Sequence, residues 1–299
     1  MTYSLITLCC DKLAVTATCL PSLVRSLGAS RPGSAPRLRG DWELVVVDNG
    51  SQDGTHAWLS GVLRPLVETA GGRLVLLRNA WNAGCSPARN QALAAASGEF
   101  IVFLDNDVMP GTPDWLPRLR AVLDAHPTAG MVGPKMIYPT PPHAIQCAGV
   151  GISRRGHVCF LGRGEPRDSA EFSRPREVQC LISACMMIRA RLVRDHGGFD
   201  VRYHPVQFED FDLCYRFRSH GWKALYEPSV EMMHLESVTT QGTPSVKNAA
   251  AVIRNGLLFQ RLWHTLFEAE EGPPEEACRW RQLPATDLPS LFPVPVSRA

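Results

Sequence analysis

The feature of this sequence that most constrains its fold is a short apolar run, residues 100–104, which ends abruptly in Asp105-Asn106-Asp107. The residues of this run favour strands, so it is predicted to be a strand buried on both faces. The acids then lie at the carboxyl end of a strand, where ligands bind in open α/β sheets. Asp105 and Asp107 could hold one divalent cation together with the phosphates it carries. The alternative is an ordinary surface turn, because Asn and Asp are common turn residues.

Apolar runs and helical patterns alternate through the first 105 residues. Strands and the helices between them are predicted, in chain order, at 3–8, 14–27, 44–47, 58–67, 74–77, 89–96 and 100–104. Parallel strands need crossovers, and these are right-handed, so the order predicts an α/β fold with a doubly wound, mostly parallel, Rossmann-like sheet. Polar loops after Val47, Leu77 and Leu104 fall along one edge of that sheet and are expected to form one cleft.

Local signals predict the remaining elements. Ser86 is expected to cap a helix with Pro87 at its first position, and Thr112 to cap a helix over 113–125. Prolines interrupt the pattern after residue 134, which predicts irregular structure or short strands as far as residue 175. Other strands are predicted at 131–132, 185–188, 223–226 and 230–233, and helices near residue 191, over 208–217 and over 245–267.

Charge and composition limit the choice of partners. Thirty-one Lys and Arg against 29 Asp and Glu leave a net charge of +2, which argues against nucleic acid as a partner. No signal peptide and no apolar run of membrane-spanning length is found, so a cytoplasmic location is expected. The ten cysteines lack paired zinc-ligand spacing and are expected to be reduced. The segment 245–267 is expected to pack on its own domain; peripheral contact with the inner face of the membrane, or a homodimer, is the alternative.

Five motifs occur together in an order typical of one family. They are Val46-Val47-Asp48-Asn49-Gly50-Ser51-Gln52-Asp53-Gly54-Thr55, Asn82-Ala83-Gly84 with Ala88-Arg89-Asn90, Phe103-Leu104-Asp105-Asn106-Asp107, Gly197-Gly198-Phe199-Asp200 and Phe208-Glu209-Asp210-Phe211-Asp212. Over roughly residues 4–237 the chain resembles family 2 glycosyltransferases, most closely the bacterial rhamnosyltransferase-like type. The resemblance implies a GT-A fold with a carboxyl-terminal acceptor region, and inverting transfer of a sugar from a nucleotide donor.

The resemblance also implies which residues bind the donor. Asp48 would read the nucleotide base, Asn49 and Asp53 would belong to the same donor-binding turn, and Arg89 would lie near the base or the phosphates. Many relatives carry Thr-Tyr-Asn after the first strand, where this chain has Cys9-Cys10-Asp11, so Cys9 would also belong to the donor-binding site. Because this aromatic platform is absent, both UDP- and dTDP-sugars remain candidate donors. Trp81 could supply a substitute ring; a tryptophan packed under its own loop is the alternative.

The catalytic and metal-binding residues are implied in the same way. Asp105 would contact the ribose and assist the metal, and Asp107 would bind the Mn²⁺ or Mg²⁺ that bridges the diphosphate. Asp210, with Glu209 beside it, matches the family's acidic pair, in which the Asp usually serves as the base. His234 matches a histidine that some members use as a further metal ligand; a packed structural histidine is the alternative.

The implied domain consists of residues 1–267, followed by a Pro-rich flexible tail over 268–299. Within it, 1–133 would bind the nucleotide sugar, 134–243 would supply the acceptor site and the base, and 244–267 would form the terminal helix. The acceptor would be a hydroxyl of a glycan, a lipid-linked sugar or a small molecule.

Two other functions are weighed against an active transferase. A catalytically silent nucleotide-sugar binder or scaffold of the same fold is disfavoured, because the acids needed for metal binding and proton removal are all present. A dinucleotide-dependent oxidoreductase is disfavoured as well, because no Gly-x-Gly-x-x-Gly follows the first strand.

Overall fold

A computed structural model of the chain describes residues 1–28, 40–236 and 248–281. Its strands are β1 (Tyr3–Cys9), β2 (Trp42–Asn49), β3 (Arg73–Asn79), β4 (Phe100–Asp105), β5 (Val108–Pro110), β6 (Ala129–Ile137), β7 (Ile145–Cys147), β8 (Val150–Ile152), β9 (Val158–Phe160), β10 (Arg176–Val178), β11 (Cys185–Arg189) and β12 (Lys223–His234). Its α-helices are α1 (Leu13–Gly28), α2 (Thr55–Trp58), α3 (Arg64–Thr69), α4 (Cys85–Ala95), α5 (Trp115–Ala125), α6 (Ala190–His196), α7 (Glu209–Ser219) and α8 (Asn248–Ala269). A π-helical turn, Leu59–Leu63, joins α2 to α3.

The amino-terminal half has the predicted parallel sheet. β3, β2, β1 and β4 are neighbours in that order, and each pair is parallel. Every residue of β2 is buried, as expected for an aliphatic strand covered on both faces. The carboxyl ends are aligned, because Cys9 of β1 is paired with Asp48 of β2 and Leu8 with Asp105 of β4. The polar loops after these strands therefore meet at one edge, as predicted.

The other half of the ten-stranded sheet is mixed. Its order continues from β4 through β11, β6 and β12 to β10, with β5 beside β12 and β7 beside β6. β11 is antiparallel to both of its neighbours, whereas β6 and β12 are parallel to each other. An antiparallel β11 starts where β4 ends, and the amide of Asp105 donates to the carbonyl of Ala184 (3.1 Å). The residues that lead into β11 consequently lie at the same sheet edge as the acids.

The two strands predicted at 223–226 and 230–233 are a single strand, β12. Pro228 lies between them, and the pairing of β12 with β6 shifts in register between Glu227 and Glu231. A proline is tolerated within a strand at such an irregularity, so it does not end the strand. As a result His234 is the last residue of β12 and not the residue after it.

The predictions of helix capping by Ser86 and Thr112 were wrong. α4 begins one residue earlier, at Cys85, after Gly84 with φ of 86°, and the Ser86 side chain is buried. α5 begins at Trp115, and the hydroxyl of Thr112 instead accepts a hydrogen bond from the amide of Glu231 (2.9 Å). The hydroxyl of Thr112 is thus used in a tertiary contact, whereas the buried hydroxyl of Ser86 has no hydrogen-bond partner among the described residues.

The helix α8 packs on the domain through Phe259 and Phe267, which are fully buried. Ile253 and Leu257 on the same helix are exposed. Among the described residues, no helix is both long and apolar enough to cross a membrane.

The segment that follows α8 contacts the small sheet formed by β8 and β9. The thiol of Cys159 donates to the carbonyl of Ala277 (3.1 Å), and His157 Nδ1 lies 2.5 Å from a carboxylate oxygen of Glu275. The first part of the segment predicted to be a flexible tail therefore makes specific contacts. The rest, 282–299, lies outside the described residues, as do residues 29–39 and the stretch 237–247 that includes the start of the predicted last helix.

Candidate active site

A cavity of about 230 Å³ opens at the carboxyl edge of the sheet. Seven residues that the sequence analysis singled out line it: Asn49, Arg89, Asp105, Asp107, Glu209, Asp210 and His234. Asp107 comes from the loop after β4 and Asp210 from the first turn of α7, so acids from both halves of the chain share one space. Together with Glu236 the wall carries five carboxylates, against one arginine and one histidine. This excess of acids favours the binding of a cation.

Three of the lining side chains converge as the ligands of a divalent cation would. The candidate ligand atoms of Asp105, Asp107 and His234 all lie within 4.8 Å of one another. Nε2 of His234 is 3.2 Å from Oδ1 of Asp107 and 3.9 Å from Oδ2 of Asp105. They meet because β12 pairs with β5, which places His234 opposite Val108. Two carboxylates and an imidazole form a donor set that fits Mn²⁺ and, through its oxygens, Mg²⁺.

The ring of His234 is oriented by Gln146 of β7. Oε1 of Gln146 lies 2.6 Å from Nδ1 of His234, and its amide nitrogen donates to the carbonyl of His234 (3.3 Å). Nδ1 therefore donates its proton to Gln146, and Nε2 turns towards the two aspartates. Burial disfavours a charged ring, but the carboxylates of Asp107 and Asp105 outweigh burial and raise the pKa of His234 to about 9. The carboxylates of Asp107 and Asp105 therefore favour a positive charge at this point of the cavity.

Arg89 joins the metal-binding side of the cavity to the acidic pair on α7. Its guanidinium donates to Oδ1 of Asp105 (3.1 Å) and to Oε1 of Glu209 (2.9 Å). The side chain is nearly buried and lies over the ring of Phe199 at 5.2 Å. The side-chain amide of Asn90 fixes Phe199 by exchanging two hydrogen bonds with its backbone, both 2.8 Å. The second and fourth sequence motifs thus act together to place one charged group.

Asp210 and Glu209 have different surroundings although they are adjacent. Glu209 is buried and bound to Arg89, whereas Asp210 is half-buried and accepts hydrogen bonds from the amides of Ser183 (3.2 Å) and Phe211 (2.9 Å). Burial, followed by the neighbouring charge of Glu209, raises the pKa of Asp210 to about 7. A carboxylate with such a pKa can accept a proton near neutral pH.

The loop 203–208, which leads into α7, is held in an unusual backbone conformation. Gln207 and Phe208 have positive φ, 84° and 71°, which costs roughly 1–3 kcal/mol for such residues. A single buried side chain, Asn255 of α8, donates to three carbonyl oxygens of this loop. The acceptors are Tyr203 (3.0 Å), Val206 (3.0 Å) and Gln207 (2.9 Å). Helix α8 therefore supports the loop that positions the acidic pair.

Three of the residues assigned to donor binding do not line the cavity. Asp48 is fully buried, with His56 Nδ1 at 3.1 Å and Arg78 Nε at 3.7 Å from its carboxylate. Asp53 accepts hydrogen bonds from the amides of Leu13 (2.8 Å) and Thr55 (3.1 Å), which fixes its own loop. Cys9 is fully buried, and it is the next residue, Cys10, that lines the wall. Of the residues predicted to bind the donor, Asn49, Arg89 and Asp105 thus line the cavity, and these three do not.

One interpretation of Trp81 is wrong, because its side chain is 73% exposed and does not pack under its own loop. Trp81 does not line the cavity, and its role as a substitute ring stays a prediction. The loop is instead held by its asparagines, since Asn49 donates to Oδ1 of Asn82 (2.9 Å) and accepts from the amide of Ala83 (3.0 Å).

Sequence reasoning missed Gln146 and Asn255. Both lie in regions without a motif, and their contacts are with residues 88 and about 50 positions away. No local signal distinguishes them.

Comparison with solved structures identifies the fold. A structure of GalNAc-T7 with UDP, GalNAc and Mn²⁺ superposes with a TM-score of 0.66 over 89% of this chain and 50% of that protein, at 16% identity. The chain therefore has the GT-A fold of glycosyltransferases. The model of the family described as Glycosyl transferase family 2 matches residues 4–197. The chain belongs to that family, as its motifs predicted.

Two curated relatives were compared over most of the chain. One is an uncharacterised protein, y4gI, of Sinorhizobium fredii, which is 31% identical over 237 residues, covering 76% of this chain and 25% of that protein. The other is the N-acetylglucosaminyl-diphospho-decaprenol L-rhamnosyltransferase of Mycobacterium tuberculosis, which is 32% identical over 266 residues, covering 80% of both proteins. The chain thus spans about a quarter of the first relative and most of the second.

Proposed function

We propose that this chain is a metal-dependent, inverting glycosyltransferase that moves a sugar from a nucleoside diphosphate sugar to an acceptor hydroxyl. The observation that carries the proposal is that the group Asp105, Asp107 and His234 and the acid Asp210 line one cavity. Similarity to an L-rhamnosyltransferase and the GT-A fold support it.

On the donor side, Asp107 and His234 would hold Mn²⁺ or Mg²⁺ with help from Asp105. A cation bound there would offset the negative charge that develops on the leaving diphosphate. Asn49 and Cys10 line the same wall on the side of the nucleotide-binding loops, where a UDP or dTDP base and ribose would lie. The structure of GalNAc-T7 contains UDP and Mn²⁺, which favours a donor and an ion of this kind.

On the acceptor side, Asp210 would be the base. It would take the proton of the acceptor hydroxyl as that oxygen bonds to the anomeric carbon and the bond from that carbon to the diphosphate breaks. One displacement of this kind inverts the anomeric centre. Glu209 is unsuited to the task because its carboxylate is bound to Arg89, so we assign it to positioning.

The division into a donor half, 1–133, and an acceptor half, 134–243, remains a prediction, as does any contact of α8 with a membrane or a second copy. A peripheral location at the inner face of the membrane also remains a prediction.

Asp210→Asn tests the assignment of the base. The variant keeps the shape of the carboxylate but cannot accept the proton, so we expect turnover to fall by at least about a hundredfold. Mn²⁺-dependent binding of the nucleoside diphosphate, measured by calorimetry, should be unchanged. Asp195→Asn, an exposed change on α6, is the matched control and should behave as the parent. Turnover of Asp210→Asn close to that of the parent would exclude Asp210 as the base.

A further inference from the structure

A second cavity, of about 400 Å³, lies beside the first. It is bounded by β9, the stretch 161–176 and the segment 273–281. Phe160 lies in the walls of both cavities. Its ring is 6.3 Å from that of Phe211, which lines the first cavity, and 5.5 Å from that of Trp280, which lines the second. Phe160 is therefore common to the walls of the two cavities.

The charge of the second cavity is opposite to that of the first. Four arginines line it, Arg163, Arg176, Arg279 and Arg281, against two acids, Glu165 and Glu171. The first cavity has an excess of carboxylates. The second cavity therefore favours an anion.

Two of the four guanidinium groups already have acidic partners. Arg163 binds Glu236 through two hydrogen bonds (2.7 and 3.0 Å), and Arg281 lies 3.6 Å from Glu165.

The other two have no ion pair within the described part of the chain. Arg176 donates to the backbone carbonyl of Glu171 and lies over the rings of Phe172 and Tyr226, at 4.9 and 5.9 Å. Arg279 is exposed on the segment 273–281. Arginine matches phosphate oxygens through parallel hydrogen bonds, so these two side chains are suited to bind a phosphate.

The position of Asp210 relates the second cavity to the reaction. A base must contact the acceptor hydroxyl, so the acceptor lies on the side of the first cavity that carries Asp210. The next residue, Phe211, packs edge-to-face against Phe160. An acceptor whose hydroxyl meets Asp210 can therefore extend past Phe160 into the second cavity.

We infer that the second cavity is the subsite for an anionic part of the acceptor, a sugar phosphate or diphosphate bound by Arg176 and Arg279. The inference rests on the proposed function and adds to it the chemical class of the acceptor. The rings of Phe160 and Trp280, packed edge-to-face against each other, supply an apolar part of the wall beside this group. The phosphate can belong to a free sugar phosphate or to a lipid carrier, and both present the same oxygens to the arginines.

Calorimetry of the full chain with three probes tests the inference. Glucose 1-phosphate, geranyl phosphate and uncharged glucose are titrated at low ionic strength with EDTA, which prevents metal-dependent binding in the first cavity. Both anions should bind, and glucose should bind at least about tenfold more weakly. Because the two anions carry the same phosphate group, tighter binding of geranyl phosphate indicates a lipid carrier, and equal or tighter binding of glucose 1-phosphate a free sugar phosphate. Equal binding of glucose and its phosphate, or no binding of either anion, overturns the inference.

Single charge removals locate the site. Arg176→Gln and Arg279→Gln should each weaken binding of glucose 1-phosphate by about tenfold. Arg118→Gln, an exposed change on α5, should have no effect. Arg279→Gln keeps the test decisive if Arg176→Gln folds poorly, because Arg279 is exposed. Unchanged affinity in both cavity variants overturns the inference.

Binding of UDP with Mn²⁺ separates this inference from the proposed function. It should be unchanged in both arginine variants and lost in Asp107→Ala, which should still bind glucose 1-phosphate. A parent protein that binds the anions but not UDP with Mn²⁺ would contradict the proposed function and leave the anion site in place.

Discussion

His234 enters the active site as the last residue of a twelve-residue strand, and one glutamine decides which ring nitrogen faces the aspartates. Asp105 and Asp107 could be predicted from the buried strand that precedes them, and His234 from the resemblance to the family. Gln146 could not be predicted, because it lies in a strand of only three residues within a stretch that prolines interrupt.

Gln146→Leu should weaken Mn²⁺ binding by about tenfold, as is typical when the partner that orients a metal-bound histidine is lost. The volume is nearly conserved, but Nδ1 of His234 loses its acceptor, so the ring is free to turn. Calorimetric titration of Mn²⁺ in the presence of UDP measures the effect. Gln260→Leu on α8, remote from the cavity, is the control; equal Mn²⁺ affinity in Gln146→Leu and the parent would assign Gln146 to packing alone.

The raised pKa of Asp210 predicts the pH dependence of turnover. Only the deprotonated carboxylate can act as a base, so kcat/KM should rise with pH and level off above about 7. The profile is measured with saturating metal between pH 5 and 9. A rate that stays constant from pH 5 to pH 8 would mean that no group with this pKa accepts the proton.

At the scale of elements, the strands that could be predicted are those that can be located from their own sequence alone. β1, β2, β3 and β4 are apolar runs bounded by polar loops, and all four were located correctly. The orientation of β11 could not be predicted, because a buried aliphatic strand has the same composition in either direction. The continuity of β12 across Pro228 depends on its register with β6, which is a property of the pair of strands and not of the sequence of one.

The helix α8 contributes to the active site through the loop that it holds. Asn255→Asp is nearly isosteric, but it replaces the amide that donates to three carbonyl oxygens by an acceptor. We expect the free energy of unfolding to fall by about 1–3 kcal/mol, because a buried hydrogen-bond network is lost. We also expect kcat to fall by about tenfold or more, since the loop no longer fixes Asp210.

Two measurements distinguish this role from a general loss of stability. Binding of UDP with Mn²⁺ should be retained in Asn255→Asp below its unfolding temperature, because the donor residues lie on other elements. Thr265→Ala, an exposed truncation on the same helix, should leave both kcat and stability unchanged. If Asn255→Asp loses stability but keeps kcat, α8 has a structural role only.

At the scale of the whole molecule, charge is separated although the net charge is only +2. Acids concentrate in the first cavity and arginines in the second. The acids could be found from motifs, whereas the arginines could not, because they come from the stretch 161–176 and from a segment more than 100 residues further on. Only the folded chain brings these two irregular segments together.

The acid-rich cavity predicts that the folded protein is stabilised when the donor site is filled. UDP with Mn²⁺ at about 100 times its dissociation constant should add about 2.7 kcal/mol to the free energy of unfolding. A rise in Tm of several degrees should follow, measured by differential scanning fluorimetry. UDP with EDTA should give a much smaller rise, and Asp107→Ala should show none. A rise that is independent of metal would contradict a cation in this cavity.

The single positive charge of Arg89 is shared between the two sides of the candidate active site. It donates simultaneously to Asp105, a member of the proposed metal-binding group, and to Glu209, next to the proposed base Asp210. A cation bound by Asp105 would compete with Arg89 for that carboxylate. The guanidinium of Arg89 would then interact more strongly with Glu209, and the repulsion between the carboxylates of Glu209 and Asp210 would fall. Binding of the donor and its metal would in this way lower the pKa of Asp210, so that its carboxyl group would lose its proton before the acceptor binds.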